Sequence, residues 1–216
     1  MGKALIKTRC VIFGGMIEEI PTHMADDLKT TDSIICADKG YIYALKNGIK
    51  PDLIIGDFDS AKEPEMSDVK IIKLPSVKDD TDLHFAVKEG IKYGFKDFLI
   101  SGVTGGRIDH TLASFSTLNF LSERGCTCKI VDKDTMAFVV NAALEIKKPE
   151  FECYISVFPI GEKAVIDIIG ANYEVSKLEI TNTFPVGVSN EFCLDTVQIA
   201  VLKGSCLVLI VKKENE

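Results

Sequence analysis

Two carboxylates, two residues apart at the end of an apolar run, are the first feature of this sequence with chemical potential. Asp57 and Asp59, in Gly56-Asp57-Phe58-Asp59-Ser60, follow Leu53-Ile54-Ile55. On an extended backbone, residues i and i+2 face the same way. Like charges that close disfavour one another unless something positive joins them. A hard divalent cation fits that need, because Mg2+ favours carboxylate oxygens together with substrate phosphates. The plain alternative is a turn, since Asp and Ser are common turn formers.

Three neighbouring segments weigh against the plain alternative. Asp38-Lys39-Gly40 follows the apolar run Asp32–Ala37. Lys78-Asp79-Asp80-Thr81-Asp82 opens a helical pattern. Asp or Thr there can cap free backbone N–H groups, and acids suit the positive end of the helix dipole. One cap needs one side chain, however, and three carboxylates exceed it. Gly102-Val103-Thr104-Gly105-Gly106-Arg107-Ile108-Asp109-His110 opens another helix. Its glycines allow close backbone approach, a helix start presents N–H groups to anions, and Arg107 can grip phosphate oxygens in bidentate fashion. The same residues also suit a tight strand-to-helix turn with a surface Arg. No Walker A pattern occurs anywhere in the chain. His110, one of three histidines, reads more simply as a structural hydrogen-bonder than as a catalyst.

The elements that must position these residues are legible from periodicity. Apolar runs within residues 9–15, 32–38, 51–57, 69–75, 96–103 and 128–134 alternate with helical patterns. One helical face carries Leu83, Ala86, Val87 and Ile91, another Ile108, Leu112, Phe115, Leu118 and Leu121. Continuous apolar strands alternating with helices imply a parallel sheet covered on both faces. In such a sheet, ligands bind beyond the carboxyl ends of the strands. Four of the first five strand candidates end there in acidic or glycine-rich segments. After residue 133 short Val/Ile-rich runs separated by turns take over, with no amphipathic helix. The expected architecture is α/β plus all-β. Residues 1–133 form an N-terminal open, mostly parallel, Rossmann-like α/β domain, and residues 134–216 an antiparallel β-sandwich.

Composition narrows the partners. The 216 residues carry formal net charge −7 and show no long basic cluster, which speaks against nucleic acid and anionic membranes. No apolar run approaches the ~20 residues of a membrane span. The opening run breaks at Glu18-Glu19 without a small-residue cleavage site, so a first strand is expected there and not a signal peptide. Seven scattered cysteines without a paired framework suggest reduced thiols and a cytoplasmic protein.

In their order and spacing, the segments Ala37–Gly40, Gly56–Ser60, Asp79–Val87 and Gly102–Ser114 resemble the successive signature segments of the thiamin pyrophosphokinase (thiamin diphosphokinase) family, in its bacterial form. Phe184–Phe192, with Val188-Ser189-Asn190 inside it, resembles that family's thiamin-binding segment. The resemblance spans essentially the whole chain. It implies transfer of the pyrophosphoryl group of ATP to the hydroxyl of thiamin, with release of AMP and Mg2+ as cofactor. It implies that Asp57, Asp59 and Asp82 hold the metal, and that these three and Arg107 form the catalytic group. Asp38, Lys39, Gly40, Asp79 and Thr81 would line the nucleotide site, and Thr104, Gly105, Gly106 and Asp109 would contact the nucleotide or its phosphates. Ser189 and Asn190 would bind the thiamin pyrimidine. Tyr173 falls where some members place a thiamin-stacking tryptophan, and this chain has no Trp. A homodimer with active sites at the subunit interface is implied as well. Two other readings stay open at this point. One is a D-x-D phosphohydrolase of the haloacid-dehalogenase type, which Leu53–Ser60 superficially resembles. The other is a non-catalytic module that senses thiamin or nucleotides.

Overall fold

The computed structural model describes residues 8–16, 20–25, 27–59, 64, 66–75 and 79–214. Glu18-Glu19, Ser60 and Lys78, to which the sequence assigned a broken leader run, part of the acidic turn and the first position of the acidic helix start, lie outside them. The chain divides into two compact units, residues 1–133 and 134–216.

In the first unit the strands are β1 (Arg9–Phe13), β2 (Asp32–Ala37), β3 (Leu53–Gly56), β4 (Lys70–Lys73), β5 (Asp97–Ser101) and β6 (Thr127–Val131). The helices are α1 (Thr22–Ala25), α2 (Gly40–Lys46), α3 (Asp82–Lys92) and α4 (Ile108–Ser122). The strands pair in the order β6-β5-β1-β2-β3-β4, and every pairing is parallel. All residues of β1, β2 and β3 are buried, as expected of strands covered on both faces. Sequence order advances outward from β1 to β4, then jumps back to β5 on the other side of β1. That reversal is a topological switch point, and a crevice opens at the carboxyl ends of such strands.

The opposite ends are pinned by charge. The Arg9 guanidinium donates to both oxygens of buried Asp32, its register partner on β2, at 3.1 and 2.7 Å. It also reaches Asp27 at 3.2 Å, which in turn accepts from Lys129 of β6 at 2.7 Å. One forked cation thereby joins the starts of β1 and β2 to the segment between them.

The two long helices differ in how they follow the sequence pattern. On α3, Leu83, Ala86, Val87 and Gly90 are buried, and Thr81 caps the helix by accepting from His84 N at 3.1 Å. On α4 the expected apolar face is only partly the buried one. Leu118 and Leu121 are fully buried, but Ile108 and Leu112 are 77% and 59% exposed. The inward face of the first turns is instead His110, Ala113 and Ser114, which line the crevice described below. Small and polar side chains occupy that face because it borders open space, so the apolar ones there point outward.

The second unit contains β7 (Thr135–Val140), β8 (Ala143–Lys147), β9 (Cys153–Ile169), β10 (Val175–Thr181) and β11 (Thr196–Lys212), all paired antiparallel. Strands β9 and β11 run 17 residues each, and β7 and β8 pair with opposite halves of β11. The buried positions of β11 switch phase, from Val197, Ile199 and Val201 to Cys206, Val208 and Ile210, across register shifts at Val201–Ser205. Strand β9 switches likewise, from Cys153, Ile155 and Val157 to Ala164, Ile166 and Ile168. Both halves nevertheless feed one hydrophobic core. A straight 17-residue ribbon would hold its ends ~50 Å apart. Sharing a core therefore requires the ribbon to fold across its bulges into two facing layers, as expected of a sandwich.

Candidate active site

Register brings the acids together. Phe13 of β1 lies level with Cys36 of β2 and with Ser101 of β5, and Ala37 lies level with Ile55 of β3. Gly14, Asp38, Asp57 and Gly102 therefore emerge on one rim. Asp38 leaves β2 in the left-handed region, φ 50, while its N–H donates to Ile55 O at 2.8 Å. A non-glycine residue held there is strained, and such strain gathers at functional sites. Helix α2 can begin immediately afterwards because Gly40 has no side chain: a Cβ would lie 2.0 Å from Phe13 O.

A cleft of about 420 Å³ opens on this rim. Its walls come from the end of β1 (Gly14, Gly15, Met16), the β2 end (Asp38, Lys39), Asp57, the start of α3 (Thr81, Asp82), the β5 end (Gly102, Val103) and α4 (His110, Ser114). Asp38, Asp57 and Asp82 each offer a carboxylate oxygen within 4.8 Å of the other two, and all three are half-buried. Asp59 is not in this group. Phe58 adopts φ 59, so the chain turns after Asp57 and the extended geometry that would align positions 57 and 59 is broken. Asp59 is exposed, and its N–H donates to Asp57 Oδ1 at 3.2 Å, a local turn that orients Asp57.

The other acids of the α3 start separate by partner. Asp80 pairs with Lys88 at 2.7 Å, which holds its carboxyl below the usual range. Asp79 is exposed and lies off the cleft wall. Only Asp82 turns into the acidic group.

In the glycine segment, Gly105 and Gly106 take φ 83 and 68, conformations that disfavour any side chain. The Arg107 fork is closed on Asp109, at 3.1 and 2.5 Å, with the Arg107 side chain 72% exposed. That hydrogen bond keeps the Asp109 carboxyl below its ordinary range. Thr104, Gly105, Gly106, Arg107 and Asp109 thus form a lip beyond the cleft wall, while Gly102 and Val103 belong to the wall itself. Lys39 is the one Lys or Arg among the described lining residues.

Two contributions had no place in the sequence reading. Gly14-Gly15, directly after β1, form part of the wall. The rule that strand ends build the site would have found them. Asp132, directly after β6, is buried and accepts hydrogen bonds from the segment Ser101–Thr104. It follows a strand candidate by the same rule.

The three β-unit candidates lie close together. Tyr173 is 73% exposed. Asn190 is buried, and its amide is spent on the Tyr173 backbone: Oδ1 accepts from Tyr173 N and Nδ2 donates to Tyr173 O, both at 2.9 Å. Ser189 is exposed, with φ 60, and its N–H donates to Ser156 Oγ at 3.2 Å. Asn190 therefore fixes the Tyr173 backbone, leaving Tyr173 and Ser189 as the outward groups.

Comparison with known proteins finds matches to both units. The family model described as "Thiamin pyrophosphokinase, catalytic domain" matches residues 25–130. A second, "Thiamin pyrophosphokinase, vitamin B1 binding domain", matches residues 142–206. The chain is 27% identical to a thiamine pyrophosphokinase of Bacillus subtilis over 215 residues, covering 94% of this chain and 98% of that protein. It is 26% identical to thiamin pyrophosphokinase 1 of Caenorhabditis elegans over 176 residues, covering 76% and 71%. The crystal structure of the Bacillus subtilis thiamine pyrophosphokinase superposes with TM-score 0.85 at 26% identity, over 96% of this chain and 100% of that one.

Proposed function

This chain belongs to the thiamin pyrophosphokinase family, and from that premise we propose that it transfers the pyrophosphoryl group of ATP to the hydroxyl of thiamin. The hydroxyl oxygen bonds to the β-phosphorus. The bridge to the α-phosphate breaks and its oxygen leaves with AMP. The hydroxyl proton passes to a base, for which the cleft offers aspartates and His110. The observation that carries the reading is the group of three aspartates at the switch-point rim, inside the part of the chain that matches the catalytic-domain model.

An all-oxygen donor set with three oxygens within 4.8 Å of one another suits Mg2+, which takes carboxylates plus substrate phosphates. Asp38, Asp57 and Asp82 are the ligands proposed, with Asp59 orienting Asp57 in place of its expected ligand role. When bound, Mg2+ would supply charge neutralisation at the phosphate oxygens. What remains is positioning, which dominates phosphoryl-type transfer. Lys39 brings a fixed positive charge to the cleft, and Gly105-Gly106 let the backbone of the lip come near a phosphate. Arg107 reaches phosphate only by exchanging its fork from Asp109, a swap of one bidentate anion for another.

For thiamin, the proposed contacts are the exposed Tyr173 ring and Ser189, presented on the frame that Asn190 holds. We also propose a homodimer with its active sites at the subunit interface. Phe184, Val186 and Val188 alternate along one segment and are all exposed, an apolar surface that a partner would cover. Action in the cytoplasm fits the seven free cysteines, and no helix among the described residues is long and apolar enough to cross a membrane. Incubation with ATP, Mg2+ and thiamin should yield AMP and thiamin diphosphate in equal amounts. ADP or inorganic phosphate as the product would overturn the reading.

A further inference from the structure

We propose that Asp132 is a positioning residue for the nucleotide: it occupies the anion nest of the β5–α4 turn and thereby sets the wall and lip against which the phosphates lie. Asp132 follows β6, on the same rim as the acids, and is 6% exposed. Its Oδ1 accepts from Ser101 Oγ at 3.0 Å and from Gly102 N. Its Oδ2 accepts from Val103 N at 3.1 Å, Thr104 N at 2.7 Å and Thr104 Oγ1 at 2.6 Å. Three successive backbone N–H groups converging on one anion form the kind of concavity that elsewhere binds phosphate. Here the protein fills it with its own carboxylate.

The consequence is a division of the glycine segment. The N–H groups of residues 102–104 and the Thr104 hydroxyl proton are committed to Asp132, so phosphate recognition falls to Gly105 onward. The carbonyl side of the turn is tied as firmly. Ser101 O accepts from Gly14 N at 2.7 Å, Gly102 O from Met16 N at 2.8 Å, and Val103 O from Ser114 Oγ at 3.1 Å. A Cβ on Gly14 would lie 2.5 Å from Gly102 O, so β1 and this turn are already in close contact. With the N–H groups of residues 102–104 and the carbonyls of residues 101–103 tied, the approach to Gly105-Gly106 is fixed before a ligand arrives. Removing the anion would release three N–H groups into the cleft wall, where they would compete for the phosphates and let the lip move.

This inference rests on the cleft being the ATP site, and its test separates the two ideas. Asp132→Asn keeps the volume but turns an N–H2 group toward N–H donors. With Mg2+ present, calorimetry of α,β-methylene-ATP, which cannot transfer its pyrophosphoryl group, should show affinity lower by about tenfold or more. The KM for thiamin should stay within about twofold, a split that general loosening would not give. Amide exchange should accelerate at residues 102–104 and remain slow in β1 and β2. Unchanged analogue affinity, equal loss for both substrates, or acceleration throughout the unit would each overturn the proposal. Should Asp132→Asn not fold, Thr104→Val must weaken analogue binding and Thr104→Ser must restore it; equal behaviour of the two would overturn it. A wild-type protein that binds the analogue but forms no thiamin diphosphate sinks the reaction and leaves the Asp132 role standing. Normal turnover with an indifferent Asp132→Asn does the reverse.

Discussion

Asp57 and Asp59 look equivalent in the sequence and are not equivalent in the fold. The difference is one backbone angle, φ 59 at Phe58, which turns the second carboxylate out of the rim. No residue type announces that angle, since Phe is not a residue expected in the left-handed region. Asp38 also takes a positive φ, and although Asp tolerates that region, nothing in the run around it places the turn at this position. The composition of the acidic rim was therefore readable, whereas its membership depended on turns that only the structure reveals. Asp38→Asn and Asp57→Asn should each lower Mg2+-dependent turnover by about 10²-fold or more, since each removes charge from the proposed cation site. Thermal melting should stay within a few degrees, because neither side chain carries the core. A Mg2+ titration of initial rate, paired with melting curves, checks this. Collapse of the fold with normal activity per folded molecule would count against a metal role.

Helices and strands were the most legible level, and the exceptions lie where an element borders the site. Helix α3 follows its apolar period, whereas the first two turns of α4 depart from theirs because their inward face lines open space. Gly40 is a second case. As the first residue of α2 it sits against the β1 carbonyl of Phe13, a contact that the run Asp38-Lys39-Gly40 does not disclose. Gly40→Ala should destabilise the first unit by roughly 2 kcal/mol or more, since backbone must shift to admit the methyl group. Chemical denaturation measures that loss. The packing of α3 on α4 carries a pH dependence. His84 stacks edge-on against Phe120, with ring centroids 4.3 Å apart, and its Nδ1 lies 3.3 Å from Thr117 Oγ1. Burial holds its pKa below the ordinary value, against the opposing pull of Asp80. In the unfolded chain the imidazole takes up its proton near pH ~6.5. Between that value and the lower folded one, the unfolded state binds more protons, so stability falls as pH drops through the window and levels off above it. The melting temperature of the wild type should accordingly fall further from pH 8 to pH 5.5 than that of His84→Gln. Equal falls would remove His84 from the account.

At the scale of the whole molecule, two units divide the proposed labour: the first presents the acidic cleft, the second an exposed Tyr173 on a frame clamped by Asn190. The change of hydrophobic period near residue 133 made that division legible, because a parallel sheet and an antiparallel one are patterned differently. Pairing between copies is not written in any local pattern, since it depends on surfaces and symmetry. If active sites form at the interface of a two-fold dimer, each joins the cleft of one chain to the Tyr173 surface of the other. Complementation then tests the arrangement directly. One variant carries Asp57→Asn, the other Tyr173→Ala with Ser189→Ala, and each alone should retain little activity. In a mixed dimer, one site collects both defects and the other collects none. Equal mixing with free exchange of subunits makes half the dimers mixed, so activity should recover to about a quarter of wild type. Sites contained within single chains would recover nothing, because every site would then keep one defect or the other.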